Sequence, residues 1–221
     1  MSKKLLKTAT ALTIMGGVLF STESNNVKAE IAPLQNTNPI VFKDVPKGHW
    51  SEEAIHNLAA NEIIFGYGDG IFGFGDDVTR EQVAALIYRV FDIEEQEEYE
   101  NPYGDIDENS TNFIEEILAL TELEIFMGDE HGNFRPKATL TRAEMAQVLT
   151  NAFDLQAKRS HTFNDVSANS WAKNAISAIQ TNGITAGIGD NKFGPSMKVK
   201  REQYAQFLYK AILHDMEQGQ Q

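Results

Sequence analysis

Three arginines occupy the same place in a recurring pattern: Arg80 in V-T-R-E-Q, Arg142 in L-T-R-A-E and Arg201 in V-K-R-E-Q. Each opens an apolar run at helical spacing, so each cation falls in the first turn of a helix. The macrodipole is positive there, and a cation costs about 0.3 to 1 kcal/mol. One reason for repeating that penalty is an anion site. Free N–H groups at a helix start favour negative charge, and a guanidinium beside them adds a bidentate fork for a carboxylate. The bland alternative is a solvated face or an ion pair with a neighbouring acid.

The flanking residues divide in the same way. Thr79 with Gln82, and Thr141 with Glu144, match the capping box, in which threonine caps the helix and the residue three later reaches back. The third copy has Lys200 in the threonine place and Gln203 after it, yet keeps its arginine. Asp44, Asp105 and Asp165 each follow an aromatic by two positions in turn-forming sequence, which suits an Asx turn or cap. Trp50 and Trp171 open the next helix six residues later, either as packing or as a flat platform for a sugar ring. The middle copy is one residue longer and has Asn112 in that place, with Phe113 beside it.

Enzyme and cofactor signals fail. G-D-G-I-F-G at 68–73 does not join a strand to a helix as a dinucleotide site requires, and its counterparts lose the glycines. The same turn lacks the alternating acids of a calcium loop. The five histidines show no ligand spacing, and neither a G-x-S-x-G nor a cysteine nucleophile is present. Glu52, Glu53, Glu115 and Glu116 read as solvated charge on helix exteriors. No catalytic activity, metal or cofactor is expected.

The elements that must position these residues come from a repeat of about 60 residues written three times, from Phe42, Tyr103 and Phe163. Ile55, Ile117 and Ile176 each precede a glycine (Gly66, Gly128, Gly187) by eleven residues. Each glycine is followed six residues later by Phe72, Phe134 or Phe193, and fourteen later by the arginine. Each unit reads as loop, helix, turn, helix. The first helix has a narrow apolar stripe and the second a broad face, such as Val83, Ala84, Ile87, Val90 and Phe91. One unit buries too little to offset its chain entropy, so the three are expected to share a core. The predicted fold is one all-α assembly of pseudo-threefold character, with repeats at 42–92, 103–154 and 163–213, polar connectors between them and a polar tail at 214–221.

Residues 1–29 read as a secretory signal peptide: Lys3, Lys4 and Lys7, then a short apolar run, then V-K-A ending at Ala29. A lead-in at 30–41 follows. Removing the peptide takes away four lysines and one glutamate and moves the formal charge from -13 to -16. So acidic a surface argues against nucleic acid and anionic membrane as partners. The absence of cysteine means that a core, and not disulfides, must stabilise the exported chain.

The three units resemble the S-layer homology (SLH) domains of bacterial cell-surface proteins. The likeness rests on F-K-D-V, F-N-D-V and the variant Y-G-D-I, on the tryptophan opening the first helix, on the G-Y-G-D-G-I-F-G-F turn, and on T-R-E-Q, T-R-A-E and K-R-E-Q. It covers residues 42 to about 213. The resemblance implies a pseudo-trimer around a central bundle of three helices, with grooves between neighbouring repeats. Those grooves bind secondary cell-wall polysaccharide, typically carrying pyruvate ketals, and so anchor the protein at the wall surface. Carried over by position, Arg80, Arg142 and Arg201 would hold the ketal carboxylate. Asp44, Asp105, Asp165, Gln82, Glu144 and Gln203 would orient it or bond sugar hydroxyls, and Trp50 and Trp171 would line the grooves. Within these residues no attached enzyme domain is expected. S-layer proteins are further partners that the resemblance allows, and an envelope adaptor binding a protein through the same grooves is the rival reading.

Overall fold

Residues 40–91, 93 and 99–218 are described by the structure, a computed structural model. The expected signal peptide, most of the lead-in and much of the first connector lie outside the described residues. Among those described there are six helices and no strand: α1 (Glu52–Ala60), α2 (Arg80–Val90), α3 (Ile114–Glu122), α4 (Arg142–Ala152), α5 (Lys173–Thr181) and α6 (Arg201–Gln218). This part of the chain is all-α, two helices to each repeat, with isolated bridges between short extended segments.

The first helix of each pair ends on a residue in the left-handed region: Glu62 at φ 58°, Glu124 at φ 55° and Gly183 at φ 76°. The N–H that follows turns back to a helix carbonyl, Ile63 to Leu58, Ile125 to Leu120 and Ile184 to Ile179, each at 2.9 Å. This closure satisfies the last carbonyls and sends the chain sharply into the turn. At the turn's entry, glycine is required by contact. A Cβ on Gly66 would strike the carbonyl of Ile71 and the ring of Phe42, and Gly128 and Gly187 are confined in the same way.

The three aspartates act over a longer range than a local turn. Asp44 accepts from the N–H groups of Phe72, Gly73 and Phe74 at 2.7 to 2.9 Å. Asp105 accepts from Phe134 and Arg135, and Asp165 from Phe193 and Gly194. Each thus ties the start of its repeat to the far side of the glycine turn and seats the phenylalanine, fully buried in all three repeats. Both oxygens of each carboxylate accept at least one of these N–H groups, which gives all three aspartates a structural role.

The second helices bury the broad face read from the sequence. Ala84, Ala146 and Ala205 are fully covered, as are Ile87, Leu149 and Leu208. Packing runs in a cyclic order, α2 against α3, α4 against α5 and α6 against α1, and α4 also meets α6. A ring of three hydrogen bonds closes the order: Val78 N–H donates to the Val199 carbonyl at 2.9 Å, Val199 N–H to that of Leu140 at 2.9 Å, and Leu140 N–H to that of Val78 at 3.1 Å. All three side chains are fully buried. Each of these residues sits two positions before its repeat's arginine, so the ring delivers all three arginines to boundaries between repeats.

One smaller expectation also changes. Glu116 is not a solvated charge: it is half-buried, and burial pushes its carboxyl above the ordinary glutamate range against the opposing pull of Arg89 of α2.

Candidate ligand-binding grooves

The helix-start N–H groups expected to be free are taken. Arg80 N–H donates to the Ala138 carbonyl at 2.9 Å and Glu81 N–H to Pro136 at 3.0 Å. Arg142 and Ala143 donate likewise to Met197 and Pro195, and Arg201 to Asp76. In every case the acceptor lies in the turn of the adjoining repeat. Backbone polar groups at a covered boundary must find partners, and the neighbouring turn supplies them. At the first two starts both leading N–H groups, and at the third that of Arg201, are thus engaged by the neighbouring repeat.

The guanidiniums follow the same path. Nε of Arg80 donates to the Phe134 carbonyl at 2.7 Å, that of Arg142 to Phe193 at 2.7 Å and that of Arg201 to Phe72 at 3.1 Å. Each lies over the ring of that phenylalanine and over a second ring, Phe126, Phe207 or Tyr67 respectively, with 4.4 to 5.2 Å to the centroids. Relative exposures are 3%, 2% and 5%, which excludes a solvated face. Burial pushes all three below the ordinary arginine value, Arg142 to about 10, which leaves Arg142 charged at neutral pH.

Their remaining donors differ. Arg80 Nη2 donates to the Met127 carbonyl at 2.8 Å, and Nη1 pairs with Glu144 Oε1 at 3.2 Å. Arg201 Nη2 donates to Phe65 at 2.9 Å. Arg142 Nη2 is buried with no partner among the described residues. An unmet buried donor is costly, about 1 to 3 kcal/mol, and asks for an acceptor from outside.

Gln82 and Glu144 complete their capping boxes, the Thr79 N–H donating to Gln82 Oε1 at 3.1 Å and that of Thr141 to Glu144 Oε2 at 2.8 Å. Gln203 keeps its half, accepting from Lys200 N–H at 3.2 Å. Lys200 Nζ pairs with Asp77 of the first repeat at 2.6 Å. Trp50 and Trp171 are 56% and 65% exposed, so neither belongs to the core. Asn112 is exposed, while its neighbour Thr111 is buried and donates to Glu81.

Three of these residues, Arg80, Glu144 and Trp171, line one cleft of about 670 Å3. Its wall comprises Arg80 of the first repeat, the turn Ile125–His131 with Arg135 and the α4 residues Glu144, Gln147, Val148 and Asn151 of the second, and Trp171 of the third. The lining thus combines the buried guanidinium of Arg80, the half-exposed one of Arg135 and the exposed indole of Trp171. Arg80, Glu144 and Trp171 were legible as candidates. Arg135 and the α4 residues were not, because the first breaks the glycine pattern of the turn and the others read as an ordinary polar helix face.

The S-layer homology domain family matches residues 41–84, 102–146 and 162–205, one stretch in each repeat. The chain belongs to that family. Among its SLH relatives are an S-layer protein of Bacillus licheniformis, 28% identical over 171 residues, covering 76% of this chain and 19% of that protein. Another is a surface-layer 125 kDa protein of Lysinibacillus sphaericus, 37% identical over 98 residues, covering 44% of this chain and 8% of that protein. The exoglucanase XynX of Acetivibrio thermocellus is 29% identical over 177 residues, which cover 77% of this chain and 16% of the enzyme. The matched regions thus span under a fifth of the length of these relatives. No described helix of the SLH chain is long and apolar enough to cross a membrane.

Proposed function

We propose that the chain is a non-enzymatic anchor that holds to the bacterial cell surface by binding pyruvylated secondary cell-wall polysaccharide in grooves between its SLH repeats. The cyclic order of helix pairs reads as a pseudo-threefold assembly with α2, α4 and α6 at its centre, which sets one groove at each repeat boundary. In each groove the buried arginine, Arg80, Arg142 or Arg201, is a fixed cation beneath the ligand. The capping-box residue, Glu144, Gln203 or Gln82, stands at the rim. By repeat position the Arg80 groove takes Trp171, the Arg142 groove takes Trp50, and the Arg201 groove takes Asn112 in place of an indole. That last groove has Phe65 and Tyr67 exposed beside its arginine as an alternative aromatic surface.

The observation that carries this reading is the cleft itself, lined by Arg80, Glu144 and the exposed Trp171. Three linked grooves raise effective affinity through local concentration even where each is weak. The test is co-sedimentation of the purified protein with wall sacculi before and after mild acid removal of pyruvate. Binding is expected to fall at least tenfold on removal. Trp171→Ala is expected to weaken binding to intact sacculi by about ten- to hundredfold, since stacking on an aromatic contributes about 1 to 3 kcal/mol by analogy with bases on aromatic platforms. Because the indole is exposed, the melting temperature should stay within about 2 °C. Binding that survives pyruvate removal unchanged would favour a protein partner in the same grooves.

A further inference from the structure

The position after the buried phenylalanine of each turn separates the three grooves. It holds Gly73 at φ 87° and Gly194 at φ 72°, but Arg135 at φ 59°. All three are in the left-handed region, which an arginine enters only against its backbone preference. In the other repeats a side chain has no space there. A Cβ on Gly73 would strike the ring of Tyr67, and one on Gly194 would meet Met197 Sδ at 2.6 Å and Ile188 at 3.2 Å. Asp129 takes the place of Tyr67 and Ile188 in the second repeat and forms an ion pair with Arg135, its Oδ2 lying 3.1 Å from Nε. The exchange is therefore paired: an aromatic or aliphatic residue with glycine in two turns, an acid with arginine in the third.

Arg135 also explains why Glu144 stands where the other repeats have glutamine. Glu144 Oε1 lies 3.2 Å from Arg80 Nη1 and 3.5 Å from Arg135 Nη2, so one carboxylate oxygen holds two guanidiniums together. A neutral amide could not offset their repulsion. Arg80 has each of its nitrogens engaged and is 3% exposed. The Arg135 side chain is 47% exposed, and its Nη1 has no partner among the described residues. Both line the cleft that Trp171 borders.

Resting on the anchoring reading, we infer that Arg135 is a specificity-determining residue of this one groove, gripping the carboxylate of an acidic sugar whose ring face lies on Trp171, with Arg80 as a buried supporting charge. A carboxylate suits the site better than a phosphate dianion, because Asp129, Glu130 and Glu144 share the same wall. The grooves of Arg142 and Arg201 lack this second guanidinium and should distinguish acidic from neutral sugar less sharply.

Two readouts keep this inference apart from the anchoring reading. In the first, D-glucuronate and then glucose are titrated into the purified protein while the Arg135 Nε–H and Trp171 indole signals are followed by NMR. Glucuronate should move both signals and glucose should not move that of Arg135. Arg135→Gly supplies the residue of the other two turns and relieves the backbone. Arg135→Gln keeps the backbone conformation without the charge. Both should weaken the glucuronate response at Trp171 at least tenfold. In the second, both variants should lose at least tenfold in binding to intact sacculi, and the difference from wild type should vanish once pyruvate is removed. If Arg135 ignores glucuronate and both variants bind sacculi as wild type does, the inference is overturned while the anchor stands. If Arg135 answers glucuronate but the wild type ignores intact sacculi, the carboxylate site stands and the anchoring reading falls.

Discussion

Asp44, Asp105 and Asp165 show how one side chain can organise a repeat. A carboxylate that receives two or three N–H groups is a strong acceptor, and removing it strands those donors in a partly covered turn. Asp44→Ala is expected to cost about 2 to 3 kcal/mol, read from the shift of a denaturant midpoint. Burial by itself would raise the carboxyl of Asp44, but the N–H groups of Phe72, Phe74 and Gly73 outweigh it and hold it below the ordinary aspartate range. Asp165 is held low in the same way by Phe193 and Gly194. A carboxyl depressed in the folded state adds stability that is fully present above its unfolded pKa of about 3.9 and is lost as pH falls through the lower folded value. Melting temperatures should therefore fall below about pH 4, and Asp44→Asn should flatten that acid limb; an unchanged pH profile in the variant would remove Asp44 from the account. The sequence showed these aspartates at a turn, but not that their donors lie 28 to 30 residues away.

At the scale of the element, the pairs of helices were legible because their signals are local. The isoleucine stripes, the capping boxes and the glycine before each turn all act within a few residues. The closure of the first helix was less legible, since only the third repeat carries the glycine that its backbone favours. Glu62 and Glu124 hold the same left-handed conformation at φ 58° and 55°. Glu124→Gly is expected to stabilise the protein by up to about 1 kcal/mol, the relief of a left-handed side chain less the greater chain entropy of glycine. For a chain of this size that corresponds to a rise of about 2 to 4 °C in melting temperature. A fall instead would mean that the glutamate side chain has a role beyond the helix end. The middle copy departs locally: Thr111 is buried and donates to Glu81, and Asn112 is exposed, as Trp50 and Trp171 are.

At the scale of the whole molecule, the cyclic order joins each repeat to the other two. The Val78, Leu140 and Val199 bonds, and the arginines reaching across each boundary, have no substitute within one repeat. A chain ending at residue 154 would retain only the α2–α3 pairing, and would leave the Arg142 guanidinium and Leu140 without their partners in the third repeat. Such a chain is expected to lack a cooperative thermal transition, measured by circular dichroism, whereas the full chain should melt in one step. A cooperative melt of the two-repeat chain would show that closure is not needed for folding.

The repeat, its six helices, the glycine turns and the apolar faces were determined by the sequence alone, because periodicity and turn chemistry act between residues near one another in the chain. The question raised by three arginines in the first turn of a helix was decided by tertiary structure. The side chains leave the helix start and bond carbonyls of the adjoining repeat, and the N–H groups beside them do the same. No spacing within a repeat records which carbonyls another repeat will present. That depends on the order in which the three close, and the same closure brought Arg135, Glu144 and Trp171 to the lining of one cleft.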